Sequence, residues 1–143
     1  MYNVAFVDDS KEVLTDSLKK DTWVIMPGSQ HSTSKRAIEL AQQFDQGIYA
    51  AVGLHPIHLE KREVDVMEVQ SEEVQEKPWM LFETRGEEFD YAKYAELTES
   101  SKVVAIGEVG LDYYRRPKGK EARRVYQEKQ KETLRQQIQL ALD

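Results

Sequence analysis

The sequence of 143 residues contains no cysteine and only three histidines, His31, His55 and His58. The absence of cysteine excludes disulfide bonds, thiolate zinc sites and cysteine nucleophiles, and it leaves His, Asp and Glu as the available metal ligands. No apolar run approaches the length of about 18 residues needed to span a bilayer, and no signal-like apolar segment follows Met1. We therefore expect a soluble cytoplasmic protein without a membrane partner.

What the chain does contain is enough apolar sequence, 40%, for one domain with one core, and an uneven distribution of charge. The segment Glu60–Glu99 carries thirteen acidic and five basic residues, whereas Tyr113–Arg135 carries nine basic and three acidic residues. The basic segment favours an anionic partner such as a phosphodiester, although the charged surface of an ordinary helix explains it equally well.

Apolar periodicity predicts an alternation of strands and helices. The predicted strands are residues 2–7, 23–26, 48–52 and 103–106. The predicted helices are residues 10–20, a second helix capped by Ser32 or Thr33 and reaching about residue 44, residues 89–99 and residues 121–142. Residues 59–87 are acidic and weakly periodic, and we expect a long excursion with little regular structure there. This βαβαβ pattern indicates an α/β fold with parallel strands, either a (β/α)₈ barrel or an open doubly wound sheet. A complete barrel takes about 250 residues, so length favours the open sheet. The choice between the two architectures therefore depends on sequence motifs.

The most informative segment is the apolar run at residues 103–106, which stops at Gly107 and is followed by Glu108 and Asp112. A buried parallel strand delivers ligands in this way to the carboxyl edge of a sheet, where α/β enzymes keep their chemistry. Glu108 is a candidate metal ligand, with capping of the next turn or pairing with a cation as the structural alternative. Asp112 either contacts substrate or holds the loop by accepting backbone hydrogen bonds.

Other candidate residues lie beside the same strand ends. His55 precedes Pro56, so its backbone is extended and its ring can face the site, where it would bind substrate or support a metal ligand. Tyr113 and Arg115 are candidates for phosphate contact, with an ordinary surface role equally consistent. We expect His31 and His58 to be surface residues.

Two motifs carry a family resemblance. Residues 48–56 (IYAAVGLHP) and 103–115 (VVAIGEVGLDYYR) resemble the TatD family of metal-dependent deoxyribonucleases, which are amidohydrolase-like TIM-barrel hydrolases. Residues 27–29 and 33–37 fit the same pattern. So do five residues of the last helix: Gln130, Leu134, Gln137, Leu140 and Ala141. The resemblance covers nearly the whole of a single domain, residues 1–143, apart from a long acidic insertion at about 59–91.

The resemblance implies a partial TIM (β/α)₈-like barrel, about half of one, comprising roughly strands two to four and their helices. It also implies divalent metal ions, two in the intact parent, with Mg²⁺, Mn²⁺ and Zn²⁺ not distinguished, and DNA as the substrate. In this family the glutamate that corresponds to Glu108 is shared between the two ions, and a carboxylate can bridge cations about 3.5–4 Å apart.

The family's other metal ligands have no counterpart in these 143 residues. Its His-x-His pair would fall just upstream of Met1, and two further histidines and an aspartate belong to strands expected after Asp143. We therefore expect a fragment of a longer enzyme that is inactive or very weak alone, because a catalytic metal normally needs at least three protein ligands. Exposed strand edges also predict self-association.

Two alternatives belong to other functional classes. Residues 4–10 (VAFVDDS) resemble the first strand and acidic pair of a receiver domain, in which carboxylates hold Mg²⁺ for phosphoryl transfer to an aspartate. The strand 48–52 is followed by Gly53-Leu54-His55, however, so the acceptor aspartate is missing. The second alternative is a non-catalytic nucleic-acid-binding module that uses the basic segment at 115–135.

Overall fold

The computed structural model describes residues 9–65, 81–114 and 116–143, with backbone alone at 62–65 and 81–85. The predicted first strand, Arg115 and the middle of the acidic insertion lie outside the described residues.

A parallel three-stranded sheet forms the centre of the described fold. Its strands are β1 (Val24–Pro27), β2 (Ile48–Val52) and β5 (Val103–Ile106), and they are hydrogen-bonded in the order β1-β2-β5. The helices are α1 (Ser10–Lys19), α2 (His31–Ala41), α3 (Tyr91–Thr98) and α4 (Lys120–Leu142). The predicted α/β class with parallel strands is confirmed, and the parallel strands follow one another in chain order, as consecutive units of a barrel do.

The two faces of the sheet differ in what covers them. Ile48, Ala50 and Val52 alternate along β2 and are buried, because this face packs against the helices. On the opposite face Ile25 is 55% exposed and Val104 is 49% exposed. A register shift between Ala50 and Ala51 places Val104 as an extra residue in β5.

Three apolar clusters hold the helices on the covered face. Leu14, Ala41 and Ile48 form the first, and Ala37, Ile38, Ala50 and Val52 form the second. The third joins α3 and α4 to the loop after β2 and contains Leu54, Leu59, Tyr94, Tyr126 and Leu140. Although α4 has 23 residues, no helix in the described ranges is long and apolar enough to cross a bilayer.

The start of α2 differs from the prediction. The helix begins at His31 with Gln30 as its N-cap residue, not Ser32 or Thr33. Thr33 lies in the first turn, where its Oγ1 accepts hydrogen bonds from the backbone N–H groups of Ser29 and Gln30, both at 2.9 Å. Thr33 therefore stabilises the helix start from inside the helix, and the sequence does not distinguish this arrangement from capping.

The acidic insertion contains regular structure, so the prediction of an irregular excursion is wrong for ten of its residues. A 3₁₀ turn, Pro56–Leu59, leads into strand β3 (Lys61–Asp65), which pairs in antiparallel register with β4 (Leu81–Arg85). An antiparallel ribbon is held by backbone hydrogen bonds, and β3 has the charged sequence KREVD without apolar alternation. Apolar periodicity in the sequence therefore could not predict this ribbon.

Candidate functional site

The carboxyl ends of the three parallel strands meet at a cluster of glycines, one after each strand: Gly28, Gly53 and Gly107. Gly28 N–H donates to Ala51 O at 2.8 Å, and Gly107 N–H donates to Val52 O at 2.9 Å. Glu108 N–H then donates to Gly28 O at 2.8 Å. The backbone at Glu108 therefore crosses the end of β2 and bonds to the end of β1.

The close approach at Gly53 fixes this crossing. A Cβ atom at position 53 would lie 2.8 Å from the carbonyl carbon of Gly107 and 2.9 Å from the carbonyl oxygen of Glu108, distances that real Cβ atoms do not show. Glycine is needed here because backbone, not a movable side chain, occupies the space. The buried Ser34 supports the same point, since its Oγ accepts from Gly53 N–H at 3.3 Å.

Glu108 stands on this fixed backbone with its side chain exposed to solvent. Its carboxylate oxygens suit a hard divalent cation. Within residues 9–65, 81–114 and 116–143, however, no group of three or more His, Asp or Glu side chains is placed to hold a metal ion. The described residues can therefore supply one carboxylate ligand to a metal centre, but they do not supply a full set of ligands.

Asp112 holds the loop that follows Glu108. Its Oδ1 accepts from the backbone N–H of Tyr114 at 3.0 Å, as in an Asx turn. Its own backbone N–H and carbonyl are both bonded to the side-chain amide of Gln130 at 2.8 Å. This is the loop-holding geometry considered from the sequence, and a substrate contact by Asp112 stays a prediction.

His55 lies at the end of β2 and caps the 3₁₀ turn. Its Nδ1 accepts from Ile57 N–H at 3.1 Å, and its backbone N–H donates to Ser29 O at 3.0 Å. Because Nδ1 accepts, the neutral ring carries its hydrogen on Nε2.

The prediction that His58 is a surface residue is wrong. His58 is only 5% exposed, and its ring lies 6.5 Å from that of His55, centroid to centroid. Burial is the main reason that the pKa of His58 falls to about 4, and the charge of His55 lowers it further. His31, by contrast, is only half-buried, with its ring edge-on to Tyr94 at a centroid distance of 5.6 Å.

Glu87 organises this region and was not singled out from the sequence. Its carboxylate accepts from His31 N–H at 3.1 Å and from the buried Tyr94 hydroxyl at 2.7 Å. Its backbone N–H donates to His58 O at 2.6 Å. A carboxylate is favourable at the N-terminus of α2 because of the helix dipole. Glu87 was one acidic residue among many in the insertion, so composition gave no signal for it.

The buried face of α4 also reaches the site loops. Gln137 accepts from Leu54 N–H at 2.7 Å and donates to Leu54 O at 3.1 Å, and Tyr126 donates to Pro56 O at 2.9 Å. Gln130 binds Asp112 in the same two-bond manner. The sequence pattern placed both glutamines in the family resemblance but assigned them no role. Their spacing of seven residues, which puts both on one helix face, was the available signal.

The basic segment is most positive where it adjoins the site loop. All three of its acidic residues pair with a basic residue three positions later, and these pairs are Glu121–Arg124, Glu128–Lys131 and Glu132–Arg135. The charges of Arg116, Lys118 and Lys120 precede these pairs in the sequence and follow Tyr114, whose ring is exposed. Tyr113 is also exposed, whereas Arg115 is outside the described residues.

A family model described as TatD related DNase matches residues 2–143. The chain belongs to the TatD-related DNase family. The resemblance drawn from residues 48–56 and 103–115 is thereby confirmed. The match includes residues 4–10, so the receiver-domain alternative is wrong: the acidic pair at Asp8 and Asp9 belongs to a TatD-related chain.

Two curated relatives are similar to this TatD-related chain. An uncharacterized metal-dependent hydrolase, YabD of Bacillus subtilis (strain 168), is 34% identical over 118 residues, which cover 82% of this chain and 34% of the relative. An uncharacterized metal-dependent hydrolase, YjjV of Escherichia coli (strain K12), is 30% identical over 91 residues, which cover 64% of this chain and 26% of the relative. The matched region thus spans about a third or less of each relative.

Proposed function

We propose that this TatD-related chain forms part of a metal-dependent hydrolase that cleaves phosphodiester bonds in DNA. The observation that carries the proposal is the position of Glu108. Its exposed carboxylate follows a parallel strand at the carboxyl edge of the sheet, on a backbone fixed by Gly28 and Gly53. The names of the two relatives, both metal-dependent hydrolases, support the same class of reaction.

In this proposal Glu108 is a ligand to one or two divalent cations. A bound Mg²⁺, Mn²⁺ or Zn²⁺ ion supplies a Lewis acid for a phosphoryl oxygen and lowers the pKa of a coordinated water. Glu108 holds its carboxylate toward solvent, and Asp112 keeps the following loop folded through the Tyr114 N–H. At least part of the ligand set comes from outside the described residues, because these contain no group of three or more side chains placed to hold a metal ion.

The surrounding side chains bind the DNA backbone. His55 contributes a substrate contact from the loop after β2, where its Nδ1 accepts from Ile57 N–H. Tyr113, Arg115 and the positive charge at residues 116–120 attract the polyanion to the loop after β5. The three strands correspond to strands two to four of a TIM-like barrel, with the insertion at about 59–91 interrupting the connection between β2 and β5.

The test is a cleavage assay on the 143-residue chain with labelled plasmid and short single-stranded DNA, in Mg²⁺, Mn²⁺ or Zn²⁺. We expect very weak cleavage or none, because one carboxylate binds a divalent cation only weakly and does not fix it in a catalytic geometry. Any cleavage should disappear with EDTA and in Glu108→Gln, but not in Glu99→Gln, an exposed carboxylate near the start of β5. Cleavage that survives EDTA or Glu108→Gln would contradict the proposal, and efficient Glu108-dependent cleavage would show that the chain is active alone.

A second candidate function is nucleic-acid binding without cleavage, favoured by the positive charge at Arg116, Lys118 and Lys120. Binding of a labelled oligonucleotide should weaken steeply as salt rises, and it should weaken at every salt concentration in Lys118→Glu. Affinity that does not change between low and high salt would remove this candidate.

A further inference from the structure

The buried face of α4 is more polar than helix packing requires. Its buried residues recur every three or four positions and are Tyr126, Gln130, Thr133, Gln137 and Leu140. Gln130 and Gln137 are among the most deeply buried side chains of the described fold, at 0% and 1% exposure. An amide costs free energy to bury unless its hydrogen bonds are made, and a leucine of similar size avoids this cost. The two amides therefore need a reason beyond packing.

Each glutamine uses both ends of its amide on a single backbone residue. Gln130 accepts from Asp112 N–H and donates to Asp112 O, both at 2.8 Å. Gln137 makes the same pair of bonds to Leu54 at 2.7 and 3.1 Å. Two bonds to one residue fix its position and orientation, much as a neighbouring strand would, at places where the sheet has ended.

The two clamped residues lie in the two loops that carry the candidate site. Asp112 is four residues after Glu108, and Leu54 directly precedes His55. The glutamines are seven residues apart on one helix, which corresponds to a separation of about 10 Å along its axis. A single rigid element thus sets the distance between the loop after β2 and the loop after β5.

We propose that Gln130 is a positioning residue for the Glu108 carboxylate, and that Gln137 plays the same part for the loop that carries His55. This inference rests on the proposed metal role of Glu108. Gln130 does not touch the metal or the substrate. It acts by holding Asp112, so that the short segment from Glu108 to Asp112 is anchored at one end by Gly28 O and at the other by α4.

The experiment follows backbone amides of the 143-residue chain by NMR, through hydrogen exchange and through line broadening by added Mn²⁺. Gln130→Leu should lower the exchange protection of the Asp112 amide about tenfold or more, since a hydrogen bond of ordinary strength is lost. It should also weaken the Mn²⁺ broadening at residues 107–110 by about threefold or more. The matched control is Gln139→Leu, because Gln139 lies on the exposed side of α4, where its side-chain amide donates to Asp143 Oδ1 at 2.7 Å.

A second variant, Gln130→Glu, keeps the size of the side chain and adds a pH readout. When protonated, its carboxyl group can accept from Asp112 N–H and donate to Asp112 O, as the amide does. When ionised, it loses the donor and repels the carbonyl. The amide signals of residues 108–113 should therefore match the wild type at low pH and depart from it as the carboxyl group ionises.

The outcomes separate the inference from the function on which it rests. Wild-type protein without Mn²⁺ broadening at residues 107–110 would overturn the metal role of Glu108, and the inference with it. Broadening that is present in the wild type and unchanged in Gln130→Leu would overturn the positioning role alone. If Gln130→Leu does not fold, Gln130→Glu provides the test. Amide signals of residues 108–113 that resemble the wild type at every pH, together with Mn²⁺ broadening that resembles the wild type at every pH, would contradict the inference.

Discussion

Single residues at the carboxyl edge of the sheet owe their positions to partners far away in the sequence. Leu54 is held by Gln137, 83 residues later, and His31 N–H is bound by Glu87, 56 residues later. The residue types at strand ends could be predicted, as Glu108 and His55 show, because they follow apolar runs. Their partners could not, since no local pattern specifies which distant side chain closes each hydrogen bond.

The buried ring of His58 predicts a loss of stability in mild acid. Its pKa in the folded protein is about 4, below the ordinary value near 6.5 that it regains on unfolding. The unfolded state therefore binds the proton first as pH falls. The stabilisation is complete above about pH 6.5 and is lost progressively as the pH drops toward 4.

Urea unfolding at pH 7 and pH 5 measures this effect. Wild-type protein should lose about 1–2 kcal/mol more of its free energy of unfolding between these pH values than His58→Phe, which cannot titrate. An equal loss in both proteins would show that His58 is not kept neutral by the fold.

At the level of elements, apolar periodicity predicted the parallel sheet and its helices well. The predicted and observed bounds of β2 and β5 are identical, and α4 begins one residue earlier than predicted. These elements have apolar residues at regular positions because they bury one face. β3 and β4 were missed because a ribbon held by backbone pairing needs no such pattern in β3. The polar clamps on α4 were missed because glutamine ordinarily indicates an exposed position.

The side chain of Glu87, near the end of the acidic insertion, should stabilise the fold by bonding to α2 and α3. Glu87→Ala removes the acceptor of the His31 N–H and of the buried Tyr94 hydroxyl, so we expect the free energy of unfolding to fall by about 1–3 kcal/mol. Urea unfolding measures it, with Glu88→Ala as the control because Glu88 is exposed. Similar stabilities for the two variants would contradict the role given to Glu87.

At the level of the whole molecule, the sheet face opposite the helices, which is exposed in the part of the chain that the structure describes, predicts self-association. Ile25 and Val104 are exposed there, and β1 and β5 are the edge strands of the described sheet. Exposed apolar surface and open strand edges both favour association. Light scattering should show species larger than a monomer, and fewer of them in the double variant Ile25→Thr, Val104→Thr than in Val13→Thr, an exposed valine on α1. A monomer at high protein concentration would contradict this prediction.

The candidate functional residues follow the carboxyl ends of the parallel strands, at one edge of the sheet. The strand ends bring together the Glu108 backbone and the His55 loop, while α4 holds both loops through its amides. Family membership is shown over residues 2–143, and the metal role of Glu108 is the proposal that the experiments have to test.

The most direct test of that centre is to locate a bound Mn²⁺ ion by NMR line broadening in wild-type protein, Glu108→Gln and Glu99→Gln. We predict that the amide signals of residues 107–110 broaden in the wild type and in Glu99→Gln, and that this broadening is lost in Glu108→Gln. Broadening at residues 107–110 that persists in Glu108→Gln, or that is absent from the wild type, would contradict the assignment of Glu108 as a metal ligand.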